Sequence, residues 1–143
     1  MTELIAPYIL TTEYECAHCH RLPPEFEIQD GVPTMYYELF DAFSLIRNEF
    51  GKSINITSGY RCPEHNKQIG GNSLSVHQWG LALDLNCINI AEVDDLATIV
   101  DSVAPHLRMG KYKDAGTFIH IDTGFFIMPA GSLNWKQGVR WYG

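Results

Sequence analysis

A chain of 143 residues, 45% hydrophobic and 19% charged, fits one soluble globular domain whose core is large enough to fold without disulfides or metal. Its net charge of -7, with 10 Lys and Arg scattered along the chain, argues against nucleic acid, which is gripped mainly through basic side chains on phosphates. The longest apolar runs fall far short of the roughly 20 residues that cross a bilayer, and "MTELIAPYIL" has no basic stretch ahead of an apolar one, so neither membrane insertion nor Sec export is expected.

Residues 1–32 contain Pro7, Pro23, Pro24 and Gly31 with little periodicity and read as an irregular arm packed over the core through Tyr8, Ile9, Tyr14 and Phe26. From Thr34 to Phe50, Tyr36, Leu39, Phe40, Phe43, Ile46 and Phe50 recur at steps of three and four, which predicts an amphipathic helix stopped by Gly51. "SINITSGYR" predicts a short strand, "CPEHNKQIGG" a short helix begun by Pro63 and stopped by Gly70-Gly71, and "NSLSVHQWG" a loop. In "LALDLN" the leucines take one face and Asp84 the other. A second amphipathic helix follows over about 91–104, ended by Pro105. "LRMG" is a candidate strand, 111–116 a turn, and "TFIHIDT" the clearest strand, with Phe118, His120 and Asp122 on one face. Residues 125–143, with Trp135 and Trp141, are expected to wrap back over the sheet. The expected organisation is thus a single domain over 1–143, with an arm at 1–32, a core at 33–124 and a wrap at 125–143.

The four cysteines can form two disulfides or one four-thiolate site. "CAHC" has metal-ligand spacing, but a zinc ribbon needs a second close pair, and Cys62 and Cys87 are far apart in sequence. Small buried or idle thiols in a reducing compartment are the preferred reading, with a structural metal at "CAHCH" as the alternative.

Two helices and at least three short strands predict an α+β domain. If the strands over 81–86 and 117–123 are neighbours, Asp84 and His120 project from one face, and His77 can swing in above them from its loop. Zinc accepts imidazole and carboxylate ligands at about 2.0 to 2.2 Å and in catalytic sites keeps a position open for water. The ordinary alternative is a pair of hydrogen-bonded core groups.

The run "ITSGYRCPEHNKQIGGNSLSVHQWGLALDLN" resembles the signature of the M15 family of zinc D-Ala-D-Ala-type peptidases. The matching residues are Ser58, Gly59, Tyr60 and Arg61, then Asn66, Gly70 and Gly71, then Ser75, His77, Gly80, Ala82 and Asp84, then His120 and Asp122. The resemblance implies an α+β fold of the D-Ala-D-Ala peptidase and hedgehog type, with a small antiparallel sheet and helices packed on one side. It implies Zn2+ on His77, Asp84 and His120, and hydrolysis of peptide bonds in the peptidoglycan stem peptide or cross-link, by a carboxypeptidase or an endopeptidase of phage-lysin or cell-wall type. Zinc then lowers the pKa of its water toward about 7, and a carboxylate takes the proton. Asp122, two residues from His120 on one strand face, is the first choice for that base, with Asp114 as its rival and orientation of a ligand as Asp122's other role. Some relatives carry a second His where Phe118 stands here.

Arg61 suits a substrate carboxylate or a developing oxyanion, since its planar guanidinium can offer two hydrogen bonds at once. Ser75, Gln78 and Tyr112 are candidate cleft residues, Trp79 a packing residue, and His65 and His106 surface residues. The expected partners are peptidoglycan peptides, met by a monomer that reaches the wall after release from the cytoplasm or by non-Sec export. The rival class is a binding module that keeps the fold and metal without turnover.

Overall fold

The computed structural model describes residues 3–28, 31–114, 116–127 and 135–143. The chain opens with a hairpin of β1 (Leu4–Ala6) and β2 (Ile9–Leu10), followed by short helices α1 (Thr11–Tyr14) and α2 (Glu25–Ile28). The arm is therefore less irregular than its sequence suggests, because strands of two and three residues are too short to show a period. Ile9 and Tyr14 are buried, but Tyr8 is exposed: its hydroxyl donates to Asn48 Oδ1 at 2.7 Å and its ring lies under Arg47.

The long helix forms where its spacing predicts, as a 3-10 turn over Thr34–Tyr36 running into α3 (Tyr37–Phe50). It stops at Gly51, whose φ of 77° closes the last turn in the left-handed region that favours glycine. Helix α5 (Ile90–Val103) starts at Asn89, whose side chain accepts from Glu92 N at 2.9 Å.

Between the helices run β3 (Ile56–Ser58), α4 (Pro63–Gln68), a 3-10 turn over Val76–Trp79 and β4 (Ala82–Asn86). After α5 come β5 (Arg108–Tyr112), β6 (Phe118–Asp122), a 3-10 turn over Gly124–Phe126 and β7 (Arg140–Tyr142).

The fold is α+β. The principal sheet has the order β3-β4-β6-β5-β7, antiparallel throughout except for β7, which lies parallel to β5 at the edge. Helix α5 packs on β5 and β6, and α3 packs on α5. Leu83, Leu85, Ile119 and Ile121 are fully buried in the same core as Leu39, Phe43 and Ile46 of α3 and Val93, Leu96 and Val100 of α5. A one-residue slip of β4 or β6 would expose these aliphatic side chains, each stabilising by about 1.5–3 kcal/mol, and bury Asp84 and His120 instead. The apolar alternation therefore holds the polar face in register.

Of the segment expected to wrap back, residues 128–134 lie outside the described residues. Trp135 packs against the core, and Arg140 ties β7 down through Asp101 Oδ1 at 3.0 Å and the carbonyls of Leu107 and Pro105. No helix among the described residues is long and apolar enough to cross a membrane.

Candidate metal centre

Asp84 on β4 and His120 on β6 are direct cross-strand partners, so one register brings both to the same face. The third residue comes from the turn Val76–Trp79, which is held from beneath. Tyr14 Oη donates to Gly80 O at 2.6 Å, and Tyr36 Oη donates to Trp79 O at 3.0 Å. Burial pushes the pKa of both phenols well up, most strongly at Tyr14, so they stay protonated donors. Gly80 ends the turn at φ 75°, and a Cβ there would run into Pro23 and the Tyr14 hydroxyl. Only glycine fits.

Within this frame His77 Nδ1 lies 2.7 Å from Gly59 O. A carbonyl only accepts, so Nδ1 carries the proton and a neutral His77 offers the lone pair of Nε2. That Nε2 faces Asp84 Oδ1 at 3.2 Å. His120 presents Nδ1 to the same oxygen at 2.9 Å and Nε2 to Asp122 Oδ2 at 2.7 Å. The candidate ligand atoms of His77, Asp84 and His120 all lie within 4.8 Å of one another.

The two imidazoles thus converge on one carboxylate oxygen with their outer nitrogens already engaged. Either they hold extra protons or a cation sits among them. Without a cation, burial works against charge on His120, but its bonds to Asp122 and Asp84 outweigh burial and carry its pKa up to about 9. Asp84 is likewise desolvated, yet bonds from His120 and His77 hold its carboxyl well below the usual range. A donor set of two imidazoles and a carboxylate, with one side open to a cleft, fits zinc.

Asp122 lies behind His120, fully buried. Arg108 Nη1 is 2.9 Å from each of its oxygens, Gly124 N donates to Oδ1 at 2.8 Å, and His120 Nε2 faces Oδ2. Those contacts fill the roughly four lone-pair sites of a carboxylate.

The cleft above the site has a volume of about 450 Å³, and its walls include Arg61, Ser75, Tyr112, Phe118 and Trp141. Arg61 Nη1 donates to Asn66 Oδ1 at 2.8 Å, and the Asn66 amide donates to Asn72 O at 2.9 Å. A Cβ on Gly71 would collide with that same Asn66 oxygen, so Asn66, Gly71 and Arg61 work as one brace. Gln78 turns away to the carbonyls of Ser73 and Ser75, and Trp79 packs half-buried against the core. Asp114 is exposed on the turn after β5, outside the cleft walls.

Sequence reasoning passed over Arg108 and Trp141. Arg108 grips Asp122 while its guanidinium lies 4.2 Å from the Trp135 ring centroid and 5.0 Å from that of Trp141. The β5–β6 register sets Arg108 opposite Asp122 and Gly110 opposite His120. Trp141 lies across Gly110, where a Cβ would strike its indole, and its ring centroid is 5.4 Å from that of His120. The signal for Arg108 was the alternation of Arg108, Gly110 and Tyr112, readable once β5 is paired with β6. Trp141 had no local signal.

Fold and site together define a class: an α+β domain whose mixed sheet carries a candidate two-His, one-Asp metal centre at the floor of an open cleft. A sequence model of the family described as Peptidase M15 matches residues 17–122, and the chain belongs to that family. No curated protein matches the chain. The matched span contains His77, Asp84, His120, Asp122, Arg61 and Asn66, and it reaches back into the arm.

Proposed function

We propose that this protein is a zinc-dependent peptidase that hydrolyses a peptide bond in the peptidoglycan stem peptide or its cross-link. The observation that carries the reading is the convergence of His77 Nε2 and His120 Nδ1 on Asp84 Oδ1, each imidazole fixed from behind by a dedicated acceptor. Family membership supplies the reaction class. A zinc ion held by these residues supplies Lewis-acid polarisation and an acidified water.

The chain's own residues have separable tasks. Gly59 O and Asp122 fix the tautomers and ring planes of His77 and His120, the orienting task that metal-bound imidazoles require. Asp122 is therefore a positioning residue, since its lone pairs are spent on Arg108, Gly124 and His120. Asp114, exposed on the turn beyond Tyr112 and outside the cleft walls, is poorly placed to reach a water at the site, so neither carboxylate is assigned the proton-accepting role. Arg61, braced by Asn66, grips the substrate carboxylate or the developing oxyanion. Tyr112, stacked on Phe118 at 4.3 Å, and Trp141, which donates to Tyr112 Oη at 2.8 Å, form an aromatic wall that limits water around the reacting bond.

Mass spectrometry of muropeptides incubated with the protein, with and without a chelator, tests this reading. New amine-bearing fragments that disappear with the chelator are expected. A zinc-loaded protein that releases none would instead be a binding module on the same fold.

A further inference from the structure

A second set of soft ligands lies outside the cleft. The sulfurs of Cys16, Cys19 and Cys62 all lie within 4.8 Å of one another, and all three cysteines are free thiols. Tetrahedral zinc with bonds of about 2.3 Å to sulfur sets its thiolates roughly 3.8 Å apart, so this spacing needs little adjustment. We infer that Cys16, Cys19, Cys62 and His65 form a second, structural zinc site that fastens the arm to the loop carrying Gly59 and Arg61.

Four observations converge on it. First, the ligands form two close pairs, Cys16-x-x-Cys19 and Cys62-x-x-His65, the arrangement of a Cys3His zinc knuckle. The sequence-based search for a partner to "CAHC" looked for two more cysteines and so passed over the histidine. Second, backbone amides point at sulfur: Cys62 N donates to Cys16 Sγ and His65 N to Cys62 Sγ, each at 3.4 Å. Donors of this kind stabilise thiolate over thiol. Third, His65 Nδ1 is buried and has no hydrogen-bond partner, an expensive condition for an imidazole nitrogen unless something else engages it. Fourth, the His65 ring stacks on His18 of the "CAHC" loop, centroids 5.3 Å apart and planes 4° apart, which seats it against the loop bearing the other two ligands.

Cys87 is the internal control. It is also buried and free, but it stands apart from the cluster, its thiol facing only Leu85 O at 3.8 Å. It behaves as a small core hydrophobe. Cys19, by contrast, is only half-buried yet faces two other sulfurs. On ligation each thiol gives its proton to solvent, and His65 binds through Nδ1 as neutral imidazole. With all four positions taken by protein, the site leaves no room for substrate chemistry. It is a staple.

The test uses the full chain and does not depend on cleavage. Zinc-loaded protein should carry about two zinc per chain, His77→Ala about one, and Cys19→Ser about one. Cobalt(II) loaded into His77→Ala should give a thiolate-to-cobalt charge-transfer band in the near ultraviolet, and adding Cys19→Ser should remove it. His65→Ala should keep that band while shifting the visible ligand-field absorption. Two results overturn the proposal: a His77→Ala chain that takes up no zinc or gives no thiolate band, and a denatured, metal-stripped chain with fewer than the 4 titratable thiols of its sequence, which would mean a disulfide. Inactivity of a protein that still shows the band would sink the peptidase reading and leave this one standing.

Discussion

The two ligand clusters of this domain differ in what supports them. His77, Asp84 and His120 stand on a sheet and a clamped turn, each aimed by a partner behind it, and they open onto a cleft of about 450 Å³. Cys16, Cys19 and Cys62 come from the arm and from the cap of α4 and face one another, with His65 in the first turn of that helix stacked on His18 of the arm. A sheet gives precision with an open side, as chemistry requires; a loop set against a helix start gives closure, as fastening requires. The same ion can serve both because the surroundings decide which coordination positions stay free.

The contrast can be broken most severely at its catalytic end. His77→Ala should reduce muropeptide cleavage to background while the chain still folds and the thiolate site survives, as seen by mass spectrometry beside metal analysis. Asp114→Asn should retain both the metal and turnover, since that carboxylate stands outside the cleft walls. A loss of about 100- to 10,000-fold in turnover with zinc retained would give Asp114 the proton-accepting role.

Asp122→Asn sharpens the comparison further. It removes the carboxylate charge that Arg108 grips and that orients His120, so metal affinity or activity should fall by about 10- to 100-fold, with a measurable loss of stability by chemical denaturation. A variant that loses activity but binds zinc at full strength would return Asp122 to the base role.

The smallest effect is expected at Tyr14→Phe. It strips the donor from the buried Gly80 carbonyl and should cost about 1–3 kcal/mol in unfolding free energy, with little change in zinc content.

The sequence carried the Asp84–His120 pair because period-2 alternation fixes facing: Leu83 and Leu85 inward put Asp84 outward, and Ile119 and Ile121 do the same for His120. Local punctuation also told true at Gly51 and Pro63, where capping chemistry depends on neighbours in the chain. What it hid depended on contacts distant along the chain. Arg108 acquires meaning only when β5 is set against β6, and Trp141 only when β7 is laid parallel beyond β5. The hairpin of the arm was hidden by its brevity. His65 was hidden differently, because a histidine three residues after a cysteine reads as a surface residue on a short helix until His18 of the "CAHC" loop is laid on its ring.

The phenol of Tyr14 has a practical consequence. Through it the first turn of the arm reaches the carbonyl that ends the histidine-bearing turn, while its own carbonyl receives the amide of Tyr60. Anyone grafting this domain into a chimera has to carry the leading segment along, since a cut placed after it would remove one of the two phenols that hold the turn bearing His77.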